Sequence, residues 1–346
     1  MIANRRLHAR PYFFELFTIA NLIAIVLLAR DTRSFLGTAG DVLGFAVSIA
    51  LYGGLGVAVR AIVAKMRGDR AYLRIIRSKA WLADSARILF FGGLLVYTYA
   101  WIKLLVPVLH PRLFDQQLWD LDRLLCFGLS PNVLFLDLFS SRPALLFVDF
   151  TYAAVFFASM ALAFGYFVSS AHRRARIAFA NGNAAIWIVG AWLYMLVPSL
   201  GPAFAFPDLW LPHQHDLHTA SLLQAKLIRN YQNVLRAAAG APANGISLIF
   251  GIGAFPSLHV GFQAYVFFWM RRFWTSGEVI FALFTATIFL GSMVTGWHYM
   301  IDGIAGAALA FACYTFSWKT AKMSQFRRIS ARFGSHATNA TTVVSR

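Results

Sequence analysis

The chain is poor in charge. Only 13% of its 346 residues are Asp, Glu, Lys or Arg, about half the share that a soluble domain carries. That shortage, with 59% hydrophobic residues and a mean hydropathy of +0.62, excludes a water-soluble globular fold and a disordered chain. Cysteine is nearly absent. Cys126 and Cys313 are too few for a disulfide framework or a thiolate metal centre, and both read as packing residues. Acid is scarcer than base, with 14 Asp and Glu against 31 Lys and Arg and a formal charge of +17. A nucleic-acid binder would gather that excess on one exposed face. Here the basic residues fall between long apolar runs, as topogenic signals do, and no nucleic-acid partner is expected.

What the sequence does have is eight apolar stretches, about 11–29, 39–59, 86–109, 143–169, 176–199, 257–270, 278–296 and 299–318. Most reach the roughly 20 residues that cross a 30 Å hydrocarbon layer as helix. They predict an all-α integral membrane protein with about eight transmembrane helices. The sixth is short before Arg271 and Arg272, and its reading leans on the apolar residues from Ile246 onward.

The basic residues orient the spans. Arg5, Arg6 and Arg10, the cluster from Arg60 to Arg87, Arg173 to Arg176, Arg271 and Arg272, and the tail from Lys319 to Arg346 all fall on one side. The positive-inside rule makes that side cytoplasmic, with both termini. Segments 104–142 and 200–256 then face the other compartment. Segment 60–85 is expected to lie along the inner surface. Segment 113–140, with Asp115, Asp120, Asp122 and Asp137 among leucines and phenylalanines, reads as one or two amphipathic interfacial helices on the outer side. The 200–256 connection is long enough to be functional.

Two of the nine histidines stand apart. His259 closes Gly253-Ala254-Phe255-Pro256-Ser257-Leu258-His259, at the outer start of the sixth span. His298 lies in Gly296-Trp297-His298-Tyr299-Met300-Ile301-Asp302-Gly303, at the outer start of the eighth. The topology rests on Lys and Arg alone, yet it puts both imidazoles at one membrane surface. Asp302, four residues after His298, shares its helical face. It is placed to take the Nδ1–H of His298 and leave Nε2 as a nucleophile. A single His-x-x-x-Asp pair is weak; its conjunction with a Gly/Pro-marked helix entry bearing a second His is specific.

Gly-x-x-Pro-Ser-x-His followed by His-x-x-x-Asp resembles the second and third signature motifs of the type-2 phosphatidic acid phosphatase superfamily. The likeness is closer to the branch of inositol phosphorylceramide synthase and related bacterial lipid phosphotransferases, through Asp115 to Asp122 with Arg123, Pro198-Ser199-Leu200-Gly201-Pro202 and His298-Tyr299. The resemblance covers roughly 86–318. It implies a six-helix phosphatase-type catalytic core there, with the first two spans as an extension; composition and charge add a basic surface segment within 1–85 and a basic flexible cytoplasmic tail, 319–346. It also implies that His298 attacks phosphorus to form a phosphohistidine, that Asp302 orients it, and that His259 protonates the leaving oxygen. A phospholipid donor and a ceramide-like lipid alcohol acceptor follow from the same likeness. Water as acceptor would make the enzyme an outer-leaflet phosphatase.

Two departures bear on the reaction. The first motif, a Lys and an Arg-Pro separated by six residues, is read as absent: Arg142-Pro143 has Phe135 at the Lys position. The Arg that precedes the third motif's His is replaced by Ser292. The synthase branch also lacks these cations, which favours transfer over hydrolysis. An entering phosphate still needs donors. Candidates are Lys226, Arg229 and Arg236, at spacings of three and seven, with Arg123, Lys103 and the backbone N–H groups around Ser257 and His259. His213, His215, Asp216 and His218 are the one metal-like cluster, but the chemistry needs no ion, so no metal or cofactor is expected. Asp149, about six residues into the fourth span, either supports the site or bonds structurally. Glu15 has no evident partner.

Overall fold

The computed structural model describes residues 11–29, 39–242, 244–274 and 277–340; Arg5, Arg6, Arg10 and Arg346 lie outside them. Among the described residues there are helices and turns and no strand. The helices of seven residues or more are α1 (Phe13–Leu28), α2 (Ala39–Met66), α3 (Arg70–Ile76), α4 (Lys79–Leu109), α5 (Asp115–Leu125), α6 (Pro131–Leu138), α7 (Arg142–Val168), α8 (Arg173–Leu196), α9 (His218–Ala238), α10 (Leu258–Phe273), α11 (Glu278–Val294) and α12 (Met300–Ala340). The protein is an all-α membrane protein.

Each of the eight apolar runs is a helix. Five of these (α2, α4, α7, α8 and α12) are long and apolar enough to cross a bilayer. The others, α1, α10 and α11, have 16, 16 and 17 residues, about 24–26 Å at 1.5 Å per residue. α10 is short because the apolar residues before it do not extend it. Segment 246–257 is a loop with one 3₁₀ turn at Leu248–Phe250. Yet α10 is the centre of the bundle. It packs on α7, α8, α11 and α12, and its Tyr265, Val266 and Trp269 have no exposed surface. A helix packed on four others meets mostly protein rather than lipid along its length.

Segment 60–85 divides otherwise than expected. α2 runs on to Met66 and α4 starts at Lys79, so only α3 remains as a separate surface piece. Lys and Arg are good helix formers whose stems reach along apolar surface to a polar layer, so they do not end a span. α12 likewise continues past residue 318.

The ends of the bundle differ in polar content. At one end, Glu15 does have a partner: it pairs with Arg87, and its carboxylate accepts the Tyr12 N–H at 2.8 Å. Asp84 pairs with Arg173 at 2.5 Å beside it. At the other end lie α5, α6, α9 and the turns at Pro202–Ala205 and Pro207–Trp210. α5 and α6 are two short helices within 113–140, in line with the one or two expected there.

Candidate active site

Local chemistry fixes where each imidazole points. Ser257 is the N-cap of α10, its hydroxyl accepting from the Val260 N–H at 3.3 Å, so His259 is the helix's second residue. His298 lies in the turn between α11 and α12. The N–H groups of Trp297 and His298 both donate to Ser292 O, at 2.9 and 3.2 Å. The turn needs Gly296, whose φ is +73° and where a Cβ would strike Trp210 and Ala203. α10 and α12 then approach closely. The Ser257 N–H donates to Asp302 O at 2.9 Å, and a Cβ on Gly306 would lie 2.1 Å from Ser257 O.

This packing brings together two rings 39 positions apart. His259 Nδ1 is 3.2 Å from His298 Nε2. The nearest partner of His298 Nδ1 is the carbonyl of Ala254, at 2.9 Å. Asp302 Oδ2 stands at 3.5 Å and accepts the Tyr299 N–H at 2.9 Å. The expected order is thus corrected: a backbone carbonyl is the closer acceptor and the carboxylate stands behind it. A carbonyl only accepts, so the proton sits on Nδ1 and Nε2 carries the lone pair. Asp302 is completely buried, and its Oδ1 has no hydrogen-bond partner among the described residues. Phe156 and Tyr152 pack edge-on against His259, with centroids at 4.6 and 5.9 Å.

Both imidazoles line a cavity of about 450 Å³, walled by α4, α7, α9 and the loop 248–253. Its lining is mostly apolar, and Phe157, Leu223 and Ile249 at its edge are also exposed on the outside. Among the cations of the described residues, the one that lines the cavity is Lys103 of α4. Its ammonium lies over the rings of Tyr99 and Tyr194, at 5.8 and 5.2 Å, and no carboxylate pairs with it among the described residues. Burial and this ammonium push the His298 imidazole down to about 3, so it is neutral at physiological pH.

The other cations named from sequence do not reach the cavity. Lys226, Arg229 and Arg236 are exposed. α9 turns Ala220, Leu223 and Leu227 inward, and the three cations lie round the helix from that apolar stripe. Arg123 is exposed and its Nε–H donates to Gly128 O at 3.1 Å, closing the end of α5. Ser257 is fully buried; its hydroxyl and N–H are both taken by the helix contacts above, so neither faces an anion. Asp149 accepts the N–H groups of Thr219 and Ala220, at 2.7 and 2.9 Å, and so caps α9 over the cavity. Among the described residues no three His, Cys, Asp or Glu side chains gather as a metal would require. His215 stands 3.7 Å from Asp216, which Arg142 also approaches at 3.4 Å.

Lys103, one of the candidate cations, also stands at a telling spacing. Six residues separate it from His110-Pro111, the spacing of the first family motif with His in place of Arg. His110 turns away, its Nδ1 2.7 Å from Met195 O, so the Lys alone reaches the cavity.

A family model described as the PAP2 superfamily matches residues 116–316. No curated protein and no solved structure matches the chain. The match covers more than half of the sequence and includes both imidazoles and Asp302, and the chain belongs to the PAP2 superfamily.

Proposed function

We propose that this chain is a membrane lipid phosphotransferase that moves a phospho-head group, phosphoinositol-like, from a phospholipid to a ceramide-like lipid alcohol. PAP2 membership supports the coarser class, a lipid enzyme of phosphatase or phosphotransferase type. The observation that supports covalent phosphoryl transfer is the contact between His259 Nδ1 and His298 Nε2, at the wall of a largely apolar cavity that also holds the Lys103 ammonium; the apolar wall is what favours a lipid acceptor over water. The pair supplies a nucleophile and an acid–base partner, and Lys103 supplies charge for non-bridging phosphate oxygens.

In the first step the His298 Nε2 lone pair forms a bond to phosphorus and the bond from phosphorus to the donor's alcohol oxygen breaks. His259, as imidazolium, gives that oxygen its proton; the negative phosphate favours this form. In the second step the acceptor hydroxyl gives its proton to His259, its oxygen bonds to phosphorus, and the N–P bond breaks. Asp302, 3.5 Å from Nδ1, stabilises the cation that His298 becomes. The exposed Phe157, Leu223 and Ile249 at the cavity edge suit lipid tails that remain in the bilayer, and an apolar wall excludes water.

Lys103 also favours a second reading. The loss of phosphate-gripping cations argued for transfer, and one of them is here after all. An outer-leaflet lipid phosphate phosphatase, acting on phosphatidate or polyprenyl phosphate, shares the same intermediate and uses water as acceptor. The deciding experiment supplies phospholipid labelled in its phosphate, with and without ceramide or diacylglycerol. Label appearing in a new lipid supports transfer; label appearing only in water supports the phosphatase. By the charge bias, the termini lie in the cytoplasm and the site faces away from it; the likeness to bacterial lipid phosphotransferases favours a bacterial inner membrane. Cysteine labelling of loop positions from either side tests that orientation.

A further inference from the structure

The segment that carries His298 is gripped from outside the bundle, residue by residue. α5 and α6 form a hairpin beside the turn between α11 and α12. From α6, Asn132 Nδ2 donates to His298 O at 3.0 Å and to Met293 O at 3.2 Å. From α5, Asp115 Oδ1 accepts from the Tyr299 hydroxyl at 2.9 Å. Asp122 Oδ2 and Oδ1 accept from the N–H groups of Met300 and Ile301, at 2.6 and 2.9 Å. Four consecutive residues, 298 to 301, are thus each held by a hairpin side chain. The three side chains are 0%, 6% and 1% exposed. None of them lines the cavity, so none is placed to touch substrate.

We propose that Asp115, Asp122 and Asn132 are positioning residues that set the register of the His298 nucleophile, and that Asp122 is the group through which acid weakens turnover. The inference rests on the reading of His298 given above. α12 starts at Met300, and its first N–H groups have no partner within the helix. The acceptor that caps a helix start usually comes from the residue just before it. Here it is a carboxylate 178 positions away, so the start of α12 stays in place only while α5 does. Protonation converts Asp122 from a two-oxygen anionic acceptor into a neutral group that has lost one acceptor site.

The charge environment of Asp122 sets the pH at which this happens. Burial raises its carboxyl to about 6, opposed by the two N–H groups; Asp302, from α12, adds to the rise. The neighbouring cation on α5, Arg123, faces outward to Gly128 O. Asp115, seven residues earlier, is raised by burial too, against the N–H groups of Gly201 and Leu200 and the Tyr299 hydroxyl. His298 itself lies near 3. An acid limb near pH 6 is therefore assigned to Asp122 and not to the nucleophile.

The test is the pH profile of kcat on a phospholipid substrate in wild type, Asp122→Asn and Met300→Pro, with hydrogen exchange across 298–304 on each. Asn keeps one acceptor oxygen and does not titrate; we expect an about tenfold lower rate with no limb near pH 6. Pro is tolerated at the first helical position, where it deletes one N–H that Asp122 holds. Loss of that donor raises the carboxyl further, so the limb should move above its wild-type position. Both variants should exchange the remaining amides of 300–304 faster than wild type. An unshifted limb in Met300→Pro overturns the proposal, as does a limb retained in Asp122→Asn. If Asp122→Asn does not fold, the Met300→Pro limb decides alone. If wild type shows the hydrogen-exchange protection but turns over no lipid phosphate, the functional reading fails and the grip stands.

Discussion

The two ends of the bundle use the same residue types in opposite ways. At the end far from the site, Glu15 and Asp84 are 3% and 2% exposed and face Arg87 and Arg173. At the site end, Asp115, Asp122 and Asp149 are equally buried and face backbone N–H groups of residues 200–201, 300–301 and 219–220. One set neutralises cations and ties α1, α4 and α8 together. The other fixes chain turns and leaves Lys103 without a counter-ion among the described residues. Carboxylates that hold amides rather than cations leave a positive charge beside the nucleophile, and an anionic substrate can use it.

Several substitutions would break or sharpen this contrast. The largest effect is expected at the nucleophile. His298→Ala should lower turnover by at least about 10³-fold while the protein still inserts and purifies; residual rates near wild type would remove the nucleophile assignment. Next comes the uncompensated cation. Lys103→Met should cost about 10²–10³-fold in kcat/KM, while the triple change of Lys226, Arg229 and Arg236 to Ala should cost no more than about twofold. The reverse ranking would put the phosphate on α9. At the far end, Asp84→Asn should lower stability by about 1–3 kcal/mol, seen in detergent melts, and leave kcat nearly unchanged. A large loss of kcat at equal stability would end the division of labour between the two ends.

The smallest effect separates stability from activity. Asp122 titrates near 6 in the folded chain and near 4 in an unfolded one. The folded state therefore binds the proton more tightly. This contribution to stability is complete below about pH 4 and is lost as pH rises through about 6. Between pH 7 and 5 the melting temperature should hold or rise on this account while turnover falls, and Asp122→Asn should flatten both trends. A melting temperature that falls together with turnover would mean simple acid unfolding.

The eight apolar runs, the helical class and the common side of His259 and His298 were legible from hydropathy and basic residues. Those signals are local: each span is apolar over its own length, and each Lys or Arg sits beside its own span. The sixth span misled because an apolar loop that walls a cavity has the composition of a helix that crosses lipid. The phosphate cations were sought on α9 because it is exposed and basic, yet a helix covering a cavity turns its apolar side inward. Lys103 is among the sequence candidates, but its motif spacing is hard to read because it lies inside an apolar run and has His110 where the motif has Arg.

The sequence by itself determined that the chain is a helical membrane protein with two imidazoles at one rim, because partition into lipid is summed over neighbouring residues. Tertiary structure alone decided which cation shares the cavity, that Ala254 rather than Asp302 lies nearest His298 Nδ1, and that the 115–138 hairpin holds residues 298–301. Those are contacts between positions up to 184 apart. They are settled by how helices pack, at glycines such as Gly306 and at buried polar groups that must find partners, and no local pattern encodes that choice.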